Sequence, residues 1–153
     1  DEVFYSYPNG KVQTKQHRID NDGEQHWKTS SQKECVYDMM SIFLRARSFN
    51  PASWKKGYVV DFPLIGGKTL LPARIIYNGK KTIKADNDKK YRCLELAYYE
   101  KEDGKWRNLA NFFITDDGNH IPVRLDMNLK FGSAKAFLTS MKGIRHKIAS
   151  QVN

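Results

Sequence analysis

The sequence predicts a mainly β, α+β fold: a curved antiparallel sheet or open half-barrel of roughly eight strands wrapped around one helix. The apolar residues Ile121, Val123, Leu125, Met127, Leu129 and Phe131 occupy alternate positions, with Arg124, Asp126, Asn128 and Lys130 between them. That period of two describes a strand with one buried and one wet face. The other strand-like segments are separated by Gly, Asn or Asp turns and do not alternate with helices, so the sheet is expected to be antiparallel. Only the stretch between Ser31 and Asn50 has convincing helical periodicity.

The elements follow in order. VFYSY, KVQTKQHRI and EQHWKTS form a polar meander, joined by turns at Pro8-Asn9-Gly10 and Asp20-Asn21-Asp22-Gly23. The middle strand is polar on both faces, with Lys11, Gln13, Lys15 and His17 on one and Thr14, Gln16 and Arg18 on the other. Such a strand is expected at a sheet margin, where lysines discourage edge-to-edge pairing. Ser31 and Glu34 then read as a capping box at a helix start. Val36, Met39, Met40 and Phe43 recur at helical spacing, Ile42, Leu44 and Ala46 widen the stripe, and Asn50-Pro51 ends it. The width suits a helix held in a concave sheet, where the methionines serve as core packing or as an adaptable ligand wall.

Strands return with GYVVDFPLI, LPARIIYNGKKTIKA, YRCLELAYYE and WRNLANFFITDDG. After Gly132-Ser133 the apolar set becomes Ala134, Ala136 and Leu138, so the inward face changes from odd to even positions. A tight turn or a glycine bulge produces that change. The small alanines are expected to make room beneath the helix.

A chain of 153 residues, 40% hydrophobic and 12% aromatic, has the size and composition of one folded domain spanning 1–153. No apolar run approaches the roughly 18 residues that cross a bilayer as a helix. The N-terminus DEVFYSYPNG reads as a strand rather than a signal peptide, so the chain is either cytosolic or relieved of a leader. Its 26 Lys and Arg against 17 Asp and Glu give a formal +9. The excess is dispersed as pairs beside turns, Lys55-Lys56, Lys80-Lys81 and Lys89-Lys90, and reads as solvated loop charge ahead of a polyanion site.

Fragments that resemble chemical motifs fail on spacing. GGKT at 66–69 has Phe62 where a phosphate-binding loop needs glycine. DNDG at 20–23 has Ser31 where a calcium loop needs its closing Glu, and Asp116-Asp117-Gly118-Asn119 fits a simple turn. His17, His26, His120 and His146 show no metal spacing, and no serine stands in a nucleophile elbow. Asp61 and Glu95, carboxylates in apolar strands, are the candidates for raised pKa values. The expectation is a protein that is not an enzyme, with no catalytic residue, no metal and no cofactor. Nucleic-acid binding through the aromatics of KKYRCLELAYY and GKWRNLANFF is the weaker rival, because the core needs those rings. Cys35 and Cys93 form no CxxC and have no nearby Cys or His, which leaves buried free thiols or a single disulfide. Such a disulfide would contribute roughly 4 kcal/mol and needs an oxidising compartment.

The stretch FITDDGNHIPVRLDMNLKFGSAKAFLTSMKG at 113–143 resembles the C-terminal signature of the bacterial domain-of-unknown-function family 3108. CVYDMMSIFLRARSF at 35–49 is similar to the internal helix of its members from Gram-negative gut-type bacteria. The resemblance implies an exported protein of the periplasm or outer envelope, with a curved open barrel around a helix like that of lipoprotein carriers. It further implies strands upstream of residue 1, and it places Cys35 and Cys93 where a disulfide can form. No catalytic or binding residue comes with it. The expected activity is non-catalytic: a lipid or other amphiphile lies against a wall of Met39, Met40, Phe43, Leu125, Met127 and Leu129. The alternatives are a packed-core module whose open sheet edge recruits a partner strand from an envelope protein, and a polyanion binder. Oligomeric state is not legible in the sequence.

Overall fold

Two antiparallel sheets and one α-helix make up the protein in a computed structural model describing residues 2–32, 36–66 and 69–152. Within these spans the side chains of Gln32, Met39, Met40 and Thr69 are not described. Ten strands are present among the described residues, and neither sheet closes into a barrel.

The first sheet holds β1 (Glu2–Ser6), β2 (Val12–Ile19) and β3 (Gln25–Gln32) in sequence order. Asn9 takes a positive φ of 53° in the first connection, and Gly23, at 87°, closes the second by donating to the Asp20 carbonyl at 3.0 Å. The polar strand β2 is therefore central, not marginal, because ladder hydrogen bonds on both sides place it there without a two-sided apolar core. Its polar side chains satisfy one another. Thr14 and Ser30 hydroxyls meet at 2.6 Å in the buried layer. On the wet face the His17 ring stacks on Trp27 at 4.0 Å, and Lys15 Nζ sits 4.2 Å from the same ring.

The second sheet runs β4 (Val59–Gly66), β5 (Thr69–Lys84), β6 (Lys90–Glu102), β7 (Lys105–Thr115), β8 (Pro122–Asn128) and β9 (Ser133–Phe137), each strand beside the next. The short β10 (Gln151–Val152) returns to pair with β6 beyond the point where β7 has turned away. Gly66 pairs with Thr69, so GGKT is the connection of a hairpin, its central Gly67 and Lys68 lying outside the described residues. The register slips at Tyr77/Gly79, Tyr98/Tyr99 and Phe113/Ile114. Such bulges increase local twist.

Helix α1 (Met39–Ala46) begins later than the sequence suggests. Ser31 belongs to β3, opposite Gln13, and Glu34 lies outside the described residues. Asp38 is the N-cap: its Oδ1 accepts from the Ser41 amide at 2.7 Å, while Ser41 Oγ accepts from the Asp38 amide at 2.8 Å. The reciprocal pair is a capping box of different residues, seven positions downstream by numbering from Ser31 to Asp38. Just upstream, Tyr37 bonds both Pro63 and Ile65 of β4, at 3.0 and 2.7 Å, tethering the helix start to that strand's free edge.

The core lies on both faces of the second sheet. On one face Ile42 and Ala46 of α1 join Ile75, Leu94, Leu96, Tyr98, Phe112 and Ile114. On the other, Ile83, Tyr91, Cys93, Phe113 and Val123 are covered by Leu138, Met141 and Ile148 of the C-terminal segment. Strand β6 is thus buried on both faces, which is why its run YRCLEL does not alternate cleanly.

The alternating stretch 121–131 departs from expectation at its far end. Val123 is fully buried and Leu125 and Met127 are half-buried, but Leu129 and Phe131 are 54% and 97% exposed. The change of inward face comes from a turn, in which Leu129 donates to the Gly132 carbonyl at 3.0 Å and Gly132 takes φ 95°. Ala134 and Ala136 lie on the outermost strand opposite Met127 and Leu125, whereas the helix packs over β5 to β7. The alanines therefore do not make room for it.

This packing predicts that Ile42→Ala costs about 2–4 kcal/mol in urea denaturation, as deletion of a buried branched side chain does. Leu44→Ala, on the wet side of the same helix, should stay within about 0.5 kcal/mol of the parent.

Candidate functional site

The acidic turn between β7 and β8 gathers the largest group of polar contacts with long sequence separation. Thr115 closes it at both ends: its amide donates to the Ile121 carbonyl and its Oγ1 accepts from the Ile121 amide, each at 2.8 Å. Asp117 Oδ1 accepts from Thr115 Oγ1 and from the Asn119 amide, both at 3.0 Å. Its Oδ2 accepts from Ser150 Oγ at 2.6 Å and the Ser150 amide at 3.2 Å. Asp116 Oδ2 accepts from Arg92 Nε at 2.7 Å and Lys80 Nζ at 2.8 Å. Asn119 exchanges two 2.9 Å bonds with the backbone of His146. His120, at φ 45°, donates from Nδ1 to the Arg47 carbonyl just past the helix at 2.7 Å. A methyl group on Gly118 would stand 3.3 Å from Cδ2 of His146, a tight contact that the exposed imidazole would have to yield to by a few tenths of an ångström.

Burial alone would push both carboxyls up. For Asp116 the hydrogen bonds from Lys80 and Arg92 outweigh it, and for Asp117 those from Ser150, Asn119 and Thr115 do, so both titrate below 3.8. Carboxylates held ionised in this way suit anchoring better than proton transfer near neutral pH.

The turn separates two clefts. One, of about 610 Å³, has an aromatic side built from Phe49, Trp54 and Tyr77 and a polar side of Lys80, Asp116 and His120. The other, of about 790 Å³, opens between the helix end and the C-terminal segment. Leu44, Ile121, Leu138, Met141 and Ile144 contribute its apolar surface, and Arg47, Lys142, Arg145 and His146 its basic surface. No Asp or Glu lines it among the described residues. A third, of about 450 Å³, lies on β4 and β5, where Arg74 pairs with Asp61 at 2.9 Å and covers Trp106 at 3.7 Å.

The described members of the predicted ligand wall do not line a common cavity. Phe43 packs edge-on against Phe112 at 4.1 Å, and Leu125 and Met127 rest on the same core cluster. Leu129 is at the far hairpin, and the Met39 and Met40 side chains lie outside the described residues. The gap between helix and sheet measures about 10 Å³. Cys93 is a fully buried thiol whose Sγ donates to the Tyr91 carbonyl at 3.5 Å, and Cys35 lies outside the described residues. Of the two carboxylates singled out in apolar strands, Asp61 is exposed and paired, while Glu95 is half-buried, its charge among those that hold up the Arg124 pKa. Among the described residues no three His, Cys, Asp or Glu are grouped to hold a metal. Tyr91, Tyr98, Phe112 and Phe113 are all in the core, out of reach of nucleic-acid bases.

Residues 1–139 match a protein family of unknown function, DUF3108. The chain belongs to that family. Searches of curated proteins and of solved structures find no match. The family match ends before Ser140, so the wall of the basic cleft from Ser140 to His146, and the anchor Ser150, lie beyond it. Those cleft residues were not singled out as a site in the sequence. Their one signal is the run MKGIRHK at 141–147, where single apolar residues alternate with cations.

Two predictions follow from this geometry. The depressed pKa values of Asp116 and Asp117 contribute stability that is present above the ordinary carboxylate value near 3.9 and is lost as pH falls through their folded values. Thermal melts from pH 6 downward should therefore fall below about pH 4, and Asp117→Asn should flatten part of that fall. Burial, reinforced by Asp117 and Asp116, pushes the Cys93 thiol up to about 12. Alkylation at pH 8 should leave it intact in the folded chain and modify it in denaturant. A chain that resists alkylation in denaturant until reductant is added carries the Cys35–Cys93 disulfide instead.

Proposed function

We propose that the chain is a non-catalytic protein of the bacterial cell envelope that holds an amphiphile with an anionic headgroup in the basic cleft at the helix end. One observation carries this reading: a cleft of about 790 Å³ that combines apolar side chains with Arg47, Lys142, Arg145 and His146 and has no carboxylate in its lining among the described residues. Its volume is within the range of ligand sites, about 300–1,000 Å³. Leu44 and Ile144, 65% and 45% exposed, supply surface that an alkyl chain would cover. The cations would meet a carboxylate or phosphate headgroup.

The interior of a half-barrel is a poorer host. Between helix and sheet there is room for about one water molecule, far less than any lipid needs. A non-catalytic role accords with the Asp116 and Asp117 contacts, which are spent on the chain's own donors. The envelope location is what the resemblance to exported members of the family implies. The packed helix–sheet interface also suits an interaction module with no small ligand, and the same experiment separates the two.

Native mass spectrometry of the purified chain, titrated with palmitate, should show a one-to-one adduct. Hexadecanol and acetate, which lack the headgroup charge and the alkyl chain respectively, should not compete at equal concentration. Arg145→Glu and Leu44→Glu, both at exposed positions, should each weaken palmitate about tenfold, equivalent to 1.4 kcal/mol. A chain that takes up no palmitate is the interaction module. Uptake that neither substitution changes would place the ligand elsewhere.

A further inference from the structure

The hairpin between β8 and β9 carries side chains that a turn does not need. Tight turns are usually built from Gly, Asn, Asp, Ser and Pro. Here Leu129-Lys130-Phe131-Gly132 forms the tip, closed by the 3.0 Å bond from the Leu129 amide to the Gly132 carbonyl. Phe131 is 97% exposed, more than any other large hydrophobic residue described, and Leu129 beside it is 54% exposed. Neither contributes to either core cluster.

The tip is held firmly. Asn128 Nδ2 donates to the Asn108 side-chain oxygen at 2.6 Å and to the Asn108 carbonyl at 3.2 Å, fixing the end of β8 to β7. Its charge is one-sided. Lys130 and Lys135 make no ion pair among the described residues, and no carboxylate lies between Asn128 and Phe137. The nearest one along the strand, Asp126, stands opposite Lys135 in the ladder and is ion-paired with Arg124. On the neighbouring strand Lys105 and Arg107 lie toward the same end, Arg107 paired with Glu102 at 3.1 Å.

We propose that this hairpin docks the protein on an anionic lipid bilayer, with Phe131 and Leu129 inserting at the level of the headgroups and Lys130 and Lys135 meeting lipid phosphates. An aromatic ring at the interface buries apolar area that water otherwise surrounds, and cations close to the surface are attracted by acidic lipids. The two contributions explain one another: the ring alone would be an aggregation liability, and the lysines alone would bind weakly and without orientation. The docking does not rest on the amphiphile cleft, which borders Pro122 and Leu138 at the opposite ends of the same two strands.

The test is flotation of the full chain with vesicles of phosphatidylcholine containing phosphatidylglycerol, against vesicles of phosphatidylcholine alone. Binding should require the anionic lipid and weaken with salt. Phe131→Ser and Lys130→Glu should each lower it about tenfold with unchanged thermal melts, since neither side chain is in the core. Phe131→Trp should keep binding, and lipids brominated near the glycerol should quench its added fluorescence. Palmitate uptake in the cleft should be the same in Phe131→Ser as in the parent, so failure of one idea is read separately from failure of the other. The proposal is overturned by absence of vesicle binding, by binding that Phe131→Ser leaves intact, or by a self-associated chain that Phe131→Ser renders monomeric. The last result would make the tip a contact between copies.

Discussion

Two adjacent carboxylates in the β7–β8 turn bind donors that are far apart in the sequence. Asp116 joins β5 and β6 by accepting from Lys80 and Arg92, and Asp117 ties the C-terminal segment to the turn through Ser150. Hydrogen bonds to an ionised group are among the stronger ones in proteins, and these carboxylates are withdrawn enough from water to feel less screening. His120 and Asn119 extend the same turn to the helix end and to His146. One loop of a hairpin thereby reaches four other parts of the fold.

The second face of the sheet depends on that loop. Tyr91, Cys93, Phe113 and Val123 would be an exposed apolar surface if the segment carrying Leu138, Met141 and Ile148 were not laid across it. Among the described residues β10 pairs with β6 through Gln151 and Val152, with one more bond from the Arg92 amide to the Ser150 carbonyl at 2.7 Å, a short ladder to hold the segment by itself. The polar anchor and the apolar cover act together: Ser150 and His146 set the position of the segment, and its hydrophobic residues supply burial. The basic cleft is a geometric result of this route. A chain that leaves β9 at Phe137 and returns to β6 at Ser150 arches past the helix end, and Arg47, Lys142 and Arg145 line the space it leaves.

The distribution of apolar side chains shifts the functional question outward. The helix stripe is used up in packing, with Ile42 and Ala46 buried and Phe43 against Phe112, so no sizeable ligand space is left beneath it. Four of the exposed apolar residues, Leu44, Ile144, Leu129 and Phe131, sit beside cations at opposite ends of the β8–β9 hairpin. Apolar and basic surface in combination is suited to amphiphiles and to lipid interfaces.

Much of this architecture was legible in the residues. Antiparallel strands, the turns at 8–10 and 20–23 and the α-helix follow from period and turn chemistry, which act over a few residues. What required the third dimension was every choice between locally equivalent options. Ser31-Glu34 has the spacing of a helix start, but pairing of Ser31 with Gln13 puts it in a strand, and Asp38 with Ser41 forms the cap. Strand β2 has the composition of an edge, but its two neighbours made it central. The alternation from Ile121 to Phe131 is uniform in sequence, yet the core covers only its beginning, because among the described residues no element packs on Leu129 and Phe131. The clefts were invisible for the same reason: Arg47 and Arg145 are 98 positions apart by numbering, and the contacts of Asn119 and His120 help bring their backbones to one place. Local patterns determine what each segment can form, whereas burial and long-range pairing decide which of those forms coexist.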